Sequence, residues 1–129
     1  DMIMDRVKTE DAIPYWDYDA PVTKETPRDV SAASVTASAM IELSTMVPDG
    51  QKYLDYAEKI LKSLSSDAYL AKVGDNQGFI LMHSVGSLPN GSEIDTPLNY
   101  ADYYYLEALK RFMELKKLRV ENGELRVIQ

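Results

Sequence analysis

The sequence predicts an all-α protein of a single domain. Three segments, 29–47, 50–65 and 98–117, carry apolar residues at three- and four-residue spacing, the repeat of a helix with a buried face. The stretches between them are rich in proline, glycine and small polar residues, which make turns. The chain has 129 residues, 45% of them hydrophobic and 27% charged, which suits a packed core rather than disorder.

Residues 1–12 read as the last turns of a helix, with Met2, Ile3, Met4 and Val7 apolar and charged residues between them. A start in the middle of an apolar pattern is expected of a fragment or a processed end. Pro14, Pro21 and Pro27 exclude helix from 13–28, because each disfavours helix at its own position and at the one before. Loops of this length in compact domains are usually functional or disordered, and Tyr15, Trp16 and Tyr18 argue against disorder. The helix at 29–47 is capped by Asp29 or Ser31 and ended by Val47-Pro48. Its inward stripe is Val30, Ala33, Ala37, Met40, Ile41 and Ser44, and its many other small residues predict a helix surrounded by neighbours. The next helix, 50–65, turns Tyr53, Leu54, Ala57, Ile60, Leu61 and Leu64 inward. The short Pro48-Asp49-Gly50 turn pairs it antiparallel to the one before.

Ser66 to Lys72 is expected to add one helical turn, and Phe79 to Met82 to form a short buried run. Residues 83–97 are polar and turn-rich, with a tight turn at Pro89-Asn90-Gly91. The helix at 98–117 buries Leu98, Ala101, Tyr105, Ala108, Phe112 and Leu115, and Leu106, Leu109 and Met113 widen the stripe. Thr96 or Asp95 caps it, and Pro97 suits its first turn. In the tail, 118–129, Asn122-Gly123 stands between two short alternating runs, a type I′ hairpin signal.

Composition excludes several functions. With no cysteine there is no disulfide, thiolate metal site or cysteine nucleophile. The single histidine excludes a multi-histidine metal site. Lys+Arg is 14 against 21 for Asp+Glu, and a net charge of -7 repels phosphate backbones, so no nucleic-acid partner is expected. No run approaches the roughly 18 apolar residues of a membrane span, so no membrane partner is expected either. The start has no signal-peptide pattern.

Four features have chemistry to offer. In Pro14-Tyr15-Trp16-Asp17-Tyr18-Asp19 the rings suit stacking on a sugar and the carboxylates accept from hydroxyls, although composition alone favours a loop pinned by its aromatics. His83-Ser84 is not a triad, because no third member can be named, and a histidine satisfied by backbone bonds is the plainer reading. Asn90-Gly91-Ser92-Glu93-Ile94-Asp95 gathers amide, hydroxyl and carboxylates beside a helix N-terminus, where capping explains them. Tyr103-Tyr104-Tyr105 must point to different faces of a helix, at least one buried with its hydroxyl bonded and another facing solvent or a cleft.

Four blocks in order resemble the C-terminal part of the unsaturated glucuronyl hydrolases. They are residues 13–21 (Ile13-Pro14-Tyr15-Trp16-Asp17-Tyr18-Asp19-Ala20-Pro21), residues 27–33 beginning Pro27-Arg28-Asp29, residues 78–84 ending Met82-His83-Ser84, and residues 100–109 beginning Tyr100-Ala101-Asp102. The resemblance covers about 1–117 and leaves 118–129 as a tail. It implies the last few helices of a six-hairpin α/α toroid, with the small-residue helix in the inner ring. It also implies removal of an unsaturated uronic acid from oligosaccharides made by polysaccharide lyases, by hydration of the C4=C5 enol ether, with no metal or cofactor. The family's catalytic aspartates lie upstream, so this segment holds no catalytic residue, and Asp29 reads as a cap or ion pair. His83 and Ser84 resemble the loop that contacts the sugar next to the unsaturated residue, and Trp16 is a further candidate for lining the cleft. Gly86-Ser87 stands where some relatives carry a lysine that holds a sulfate, so the resemblance does not extend to sulfate recognition and the substrate stays open. The partners implied are the unsaturated oligosaccharide and the missing N-terminal part of the domain, and the setting implied is a bacterial periplasm. Two alternatives stay open: a related unsaturated rhamnogalacturonyl hydrolase, and a non-catalytic helical interaction module.

Overall fold

A computed structural model describes residues 1–123. Its helices are α1 (Met2–Arg6), α2 (Val30–Ser44), α3 (Gln51–Leu64) and α4 (Asn99–Glu121). Among the described residues, β pairing is limited to isolated bridges. α2 is the centre, packing extensively against both α3 and α4, which touch each other little.

α2 takes this place because it is thin. Every residue of its expected stripe is buried, and so are Ser31, Ser34 and Ser38 beside it. These hydroxyls are satisfied: Ser34 donates to Ser31 O at 3.0 Å, and Ser38 donates to Glu107 of α4 at 2.8 Å. α3 buries the six residues its spacing selects. Each fully buried aliphatic side chain, Ile60 or Leu64 for example, contributes about 1.5–3 kcal/mol. The α2–α3 turn closes so tightly that a Cβ on Gly50 would lie 1.9 Å from the carbonyl oxygen of Ser44.

Several expectations need correction. α1 ends at Arg6, and the predicted helix over 8–12 is absent. There Thr9 donates to Ile13 O at 2.8 Å and Asp11 accepts from Ile13 N at 3.0 Å, local bonds that compete with a helix. α4 begins at Asn99 with Leu98 as its N-cap and no side-chain cap, so neither Thr96 nor Asp95 serves. Thr96 is committed to a backbone pair with Ser84, and Asp95 to His83. Leu106 and Met113 are exposed, so the buried stripe of α4 is the narrower Ala101, Tyr105 and Ala108. Of Phe79 to Met82 only Leu81 is fully buried. Asp102 of α4 holds this segment, accepting the amides of Ile80 at 2.8 Å and Leu81 at 2.9 Å. α4 continues through Leu118 to Glu121, so the first arm of the expected tail hairpin is helical, and its second arm lies outside the described residues.

Other expectations hold. Residues 66–70 form one turn, with the amides of Tyr69 and Leu70 on Ser66 O. The tyrosine run divides as its helical phase requires. Tyr105 is buried with its hydroxyl 2.6 Å from Ser65 Oγ, whereas Tyr103 is exposed with Tyr104 edge-on beside it.

Candidate functional site

Residues 84–96 double back as an irregular ribbon. Ser84 and Thr96 exchange backbone bonds of 3.0 Å in both directions, and so do Ser87 and Ser92. Gly86 N donates to Glu93 O at 2.7 Å. The tip turns through the expected Pro89-Asn90-Gly91, with Gly91 at φ 66°. The base of the ribbon is docked on the start of α2. Val30 N donates to His83 O at 3.1 Å, and the buried Asp29 carboxylate accepts from Val85 N at 3.2 Å. That same carboxylate caps α2 through Ser31 N at 3.0 Å and takes the Ser31 hydroxyl at 2.6 Å. Asp29 is therefore the cap that the sequence indicates.

This docking sets His83 at the mouth of a cleft of about 580 Å³, lined in part by Lys24, Arg28, Tyr69, Leu88 and Asp95. His83 and Asp95 both take left-handed backbone, φ 72° and 49°, a conformation that disfavours a side chain by about 1–2 kcal/mol. His83 Nδ1 lies 2.5 Å from Asp95 Oδ1. On another side the ring of Tyr69 meets the imidazole edge-to-face, centroids 6.2 Å apart.

Behind Tyr69 is a compact polar cluster. Asp11 accepts from the Tyr69 hydroxyl at 2.6 Å and from Arg28 at 2.9 Å. Arg28 also donates to Ile13 O at 2.6 Å and lies 4.5 Å from the centre of the Tyr15 ring. Partial burial opposes ionisation of Asp11, but the bonds from Tyr69, Ile13 N and Arg28 outweigh it and hold the carboxyl below its ordinary range. Burial, reinforced by Asp11, pushes the Tyr69 hydroxyl well above the ordinary tyrosine range. Tyr69 is thus a neutral donor aimed at an ionised carboxylate. Sequence reasoning missed this cluster: Asp11 sat in a segment read as helix, and nothing local to Tyr69 marks it.

The sequence-predicted site residues fare differently. His83 is accessible and lines the cleft. Ser84 is fully buried, and among the described residues its Oγ has no hydrogen-bond partner. A sugar contact through that hydroxyl does not fit, because the ribbon's backbone pairing turns the side chain inward. Trp16 lies in a separate concavity of about 440 Å³, with Arg6, Tyr15, Asp17 and Asp19 among its walls. The two hollows are linked through the Arg28–Tyr15 contact, not merged. The loop carrying Trp16 is pinned by its backbone: Trp16 N donates to Pro27 O at 3.1 Å and Asp29 N to Pro14 O at 2.9 Å. Asp19 pairs with Arg6, and Asp17 accepts from Asp19 N at 2.7 Å. Among the described residues no group of three or more His, Asp or Glu is placed to hold a metal ion, and no helix is long and apolar enough to cross a membrane.

No protein-family profile matches the chain. It is 48% identical over 106 residues to an unsaturated glucuronyl hydrolase of Formosa agariphila, covering 82% of this chain and 26% of that protein. Among solved structures, an unsaturated glucuronyl hydrolase specific for heparin is 63% identical with a TM-score of 0.87, over 90% of this chain and 32% of that one. The unsaturated glucuronyl hydrolase of Bacillus sp. GL1 is 29% identical with a TM-score of 0.75, over 93% of this chain and 30% of that one. The chain spans between a quarter and a third of the length of these relatives. Its helices have the fold of one portion of an α/α toroid.

Proposed function

We propose that this chain is part of a glycoside hydrolase that removes an unsaturated uronic acid from the end of lyase-generated oligosaccharides. The observation that carries the reading is its likeness, in sequence and in fold together, to an unsaturated glucuronyl hydrolase specific for heparin. In the reaction a carboxylic acid protonates C4 of the enol ether and water adds at C5. The resulting hemiketal opens to a C5 ketone, and the linkage at C1 collapses to release the remaining sugar. The acid comes from the rest of the polypeptide. Asp17, Asp29 and Asp102 here are all engaged by backbone amides, which suits structure rather than proton transfer.

The part assigned to this segment is substrate contact. His83 meets the sugar next to the unsaturated residue, from the cleft it shares with Lys24 and Arg28. Trp16 offers a ring at the neighbouring hollow for stacking. Ser84 contributes through the backbone pairing that builds the ribbon, not through its hydroxyl. The likeness to a heparin-specific enzyme makes unsaturated disaccharides of heparin the first substrates to try, despite Gly86-Ser87 in place of a sulfate-holding lysine. Lys24 at the cleft is a cation that suits an anionic sugar.

The test is incubation of the whole polypeptide that carries this segment with an unsaturated heparin disaccharide and with its saturated counterpart. Loss of the double bond's ultraviolet absorbance with release of the second sugar, and no cleavage of the saturated compound, is the expected result. Equal cleavage of both would exclude hydration of the enol ether, and cleavage of neither would exclude the proposed activity.

A further inference from the structure

We infer that Asp95 is a positioning residue, one that fixes the tautomer and the angle of the His83 ring and so decides which ring nitrogen meets the substrate. The inference rests on the reading of His83 as a sugar contact.

The geometry is specific. The Asp95 carboxylate only accepts, so at 2.5 Å the proton between it and the imidazole sits on His83 Nδ1. Nε2 is then the nitrogen left for a ligand, and in the neutral ring it carries a lone pair that accepts from a sugar hydroxyl. Asp95 stands one residue before Thr96 and His83 one residue before Ser84, and these partners are locked to each other by two backbone bonds of 3.0 Å. The ribbon therefore fixes the distance between the two side chains. Both residues hold left-handed backbone, as Glu93 of the same ribbon does, and this conformation sets the direction from which the two side chains leave the ribbon. Tyr69, held in turn by Asp11, packs edge-to-face with the imidazole. Asp95 makes no helix cap, the plainer role that its place beside α4 offers.

The experiment has a spectroscopic and a kinetic readout. In the whole polypeptide that carries this segment, the ring nitrogens of His83 are the pair of signals lost in His83→Asn. At a pH where those signals show a neutral ring, the wild-type chain is expected to hold the Nδ1–H form. Asp95→Ala is expected to move it to the Nε2–H form, with Asp95→Glu restoring the wild-type pattern at least in part. In the whole enzyme, Asp95→Ala and His83→Ala are each expected to raise KM about tenfold with kcat within about twofold. A wild-type ring in the Nε2–H form, or a ring spectrum unchanged by Asp95→Ala, overturns the positioning role. An unchanged KM in His83→Ala, with the tautomer shift intact, instead overturns the sugar contact on which it rests.

Discussion

The Asp29 carboxylate accepts three hydrogen bonds while nearly buried: two from Ser31 and one from Val85. It therefore joins the first turn of α2 to the base of the ribbon that carries His83. Asp29→Ala removes a helix cap and orphans a buried amide, a loss of about 2–3 kcal/mol. Asp29→Asn retains an accepting oxygen and is expected to lose less than half of that, as urea unfolding of the two variants will show. Asp11 makes a different prediction. Its pKa is lowered on folding, so its ionised form stabilises the native state above the ordinary carboxylate range, and that contribution is lost as pH falls through the folded value. The stability gap between the wild type and Asp11→Asn should be widest near neutral pH, about 1–3 kcal/mol for bonds to a charged acceptor, and should close below about pH 4. A gap that is constant over this range would separate Asp11 from the bonds described here.

At the scale of elements, what the sequence reveals is what a local period encodes. The stripes of α2 and α3 are legible because burial repeats every three or four residues, and Tyr103 to Tyr105 divide by the same rule. The α4 cap was misread because Asp95 and Thr96 are good capping residues that fall short of the helix start at Leu98: the Asp95 carboxylate goes to His83, and the Thr96 backbone pairs with Ser84. No local pattern announces a ladder between residues twelve positions apart. The inward turn of Ser84 is lost for the same reason, since the facing of a ribbon residue depends on register. The α2–α3 turn gives the sharpest prediction. A methyl on Gly50 would overlap backbone of Ser44, which cannot rotate away as a side chain would. Gly50→Ala is expected to destabilise by about 3 kcal/mol or more, at the upper end of overpacking, measurable as a fall in the unfolding midpoint. A neutral Gly50→Ala would mean that the turn is looser than described.

At the scale of the whole molecule, the apolar side chains left outside matter most. Met46, Tyr103, Leu106, Met113 and Leu118 are all more than half exposed, and the last four lie along α4. In one portion of a toroid such a face is covered by the remaining helices. The 129-residue chain on its own is expected to bind a hydrophobic dye or to self-associate in sedimentation. A monodisperse monomer that ignores the dye would favour a self-sufficient helical module instead. The resemblance to unsaturated glucuronyl hydrolases was legible from the order of four sequence blocks. The cleft was not, because Asp11, Arg28, Tyr69, His83 and Asp95 converge only in the folded chain.

The intact mass of the native polypeptide from its source decides whether this chain is one portion of a larger hydrolase. The 106 matched residues make up 26% of one relative, so the native polypeptide is expected to be about three times as long as this chain. An intact mass of 14.5 kDa, that of these 129 residues alone, would contradict it.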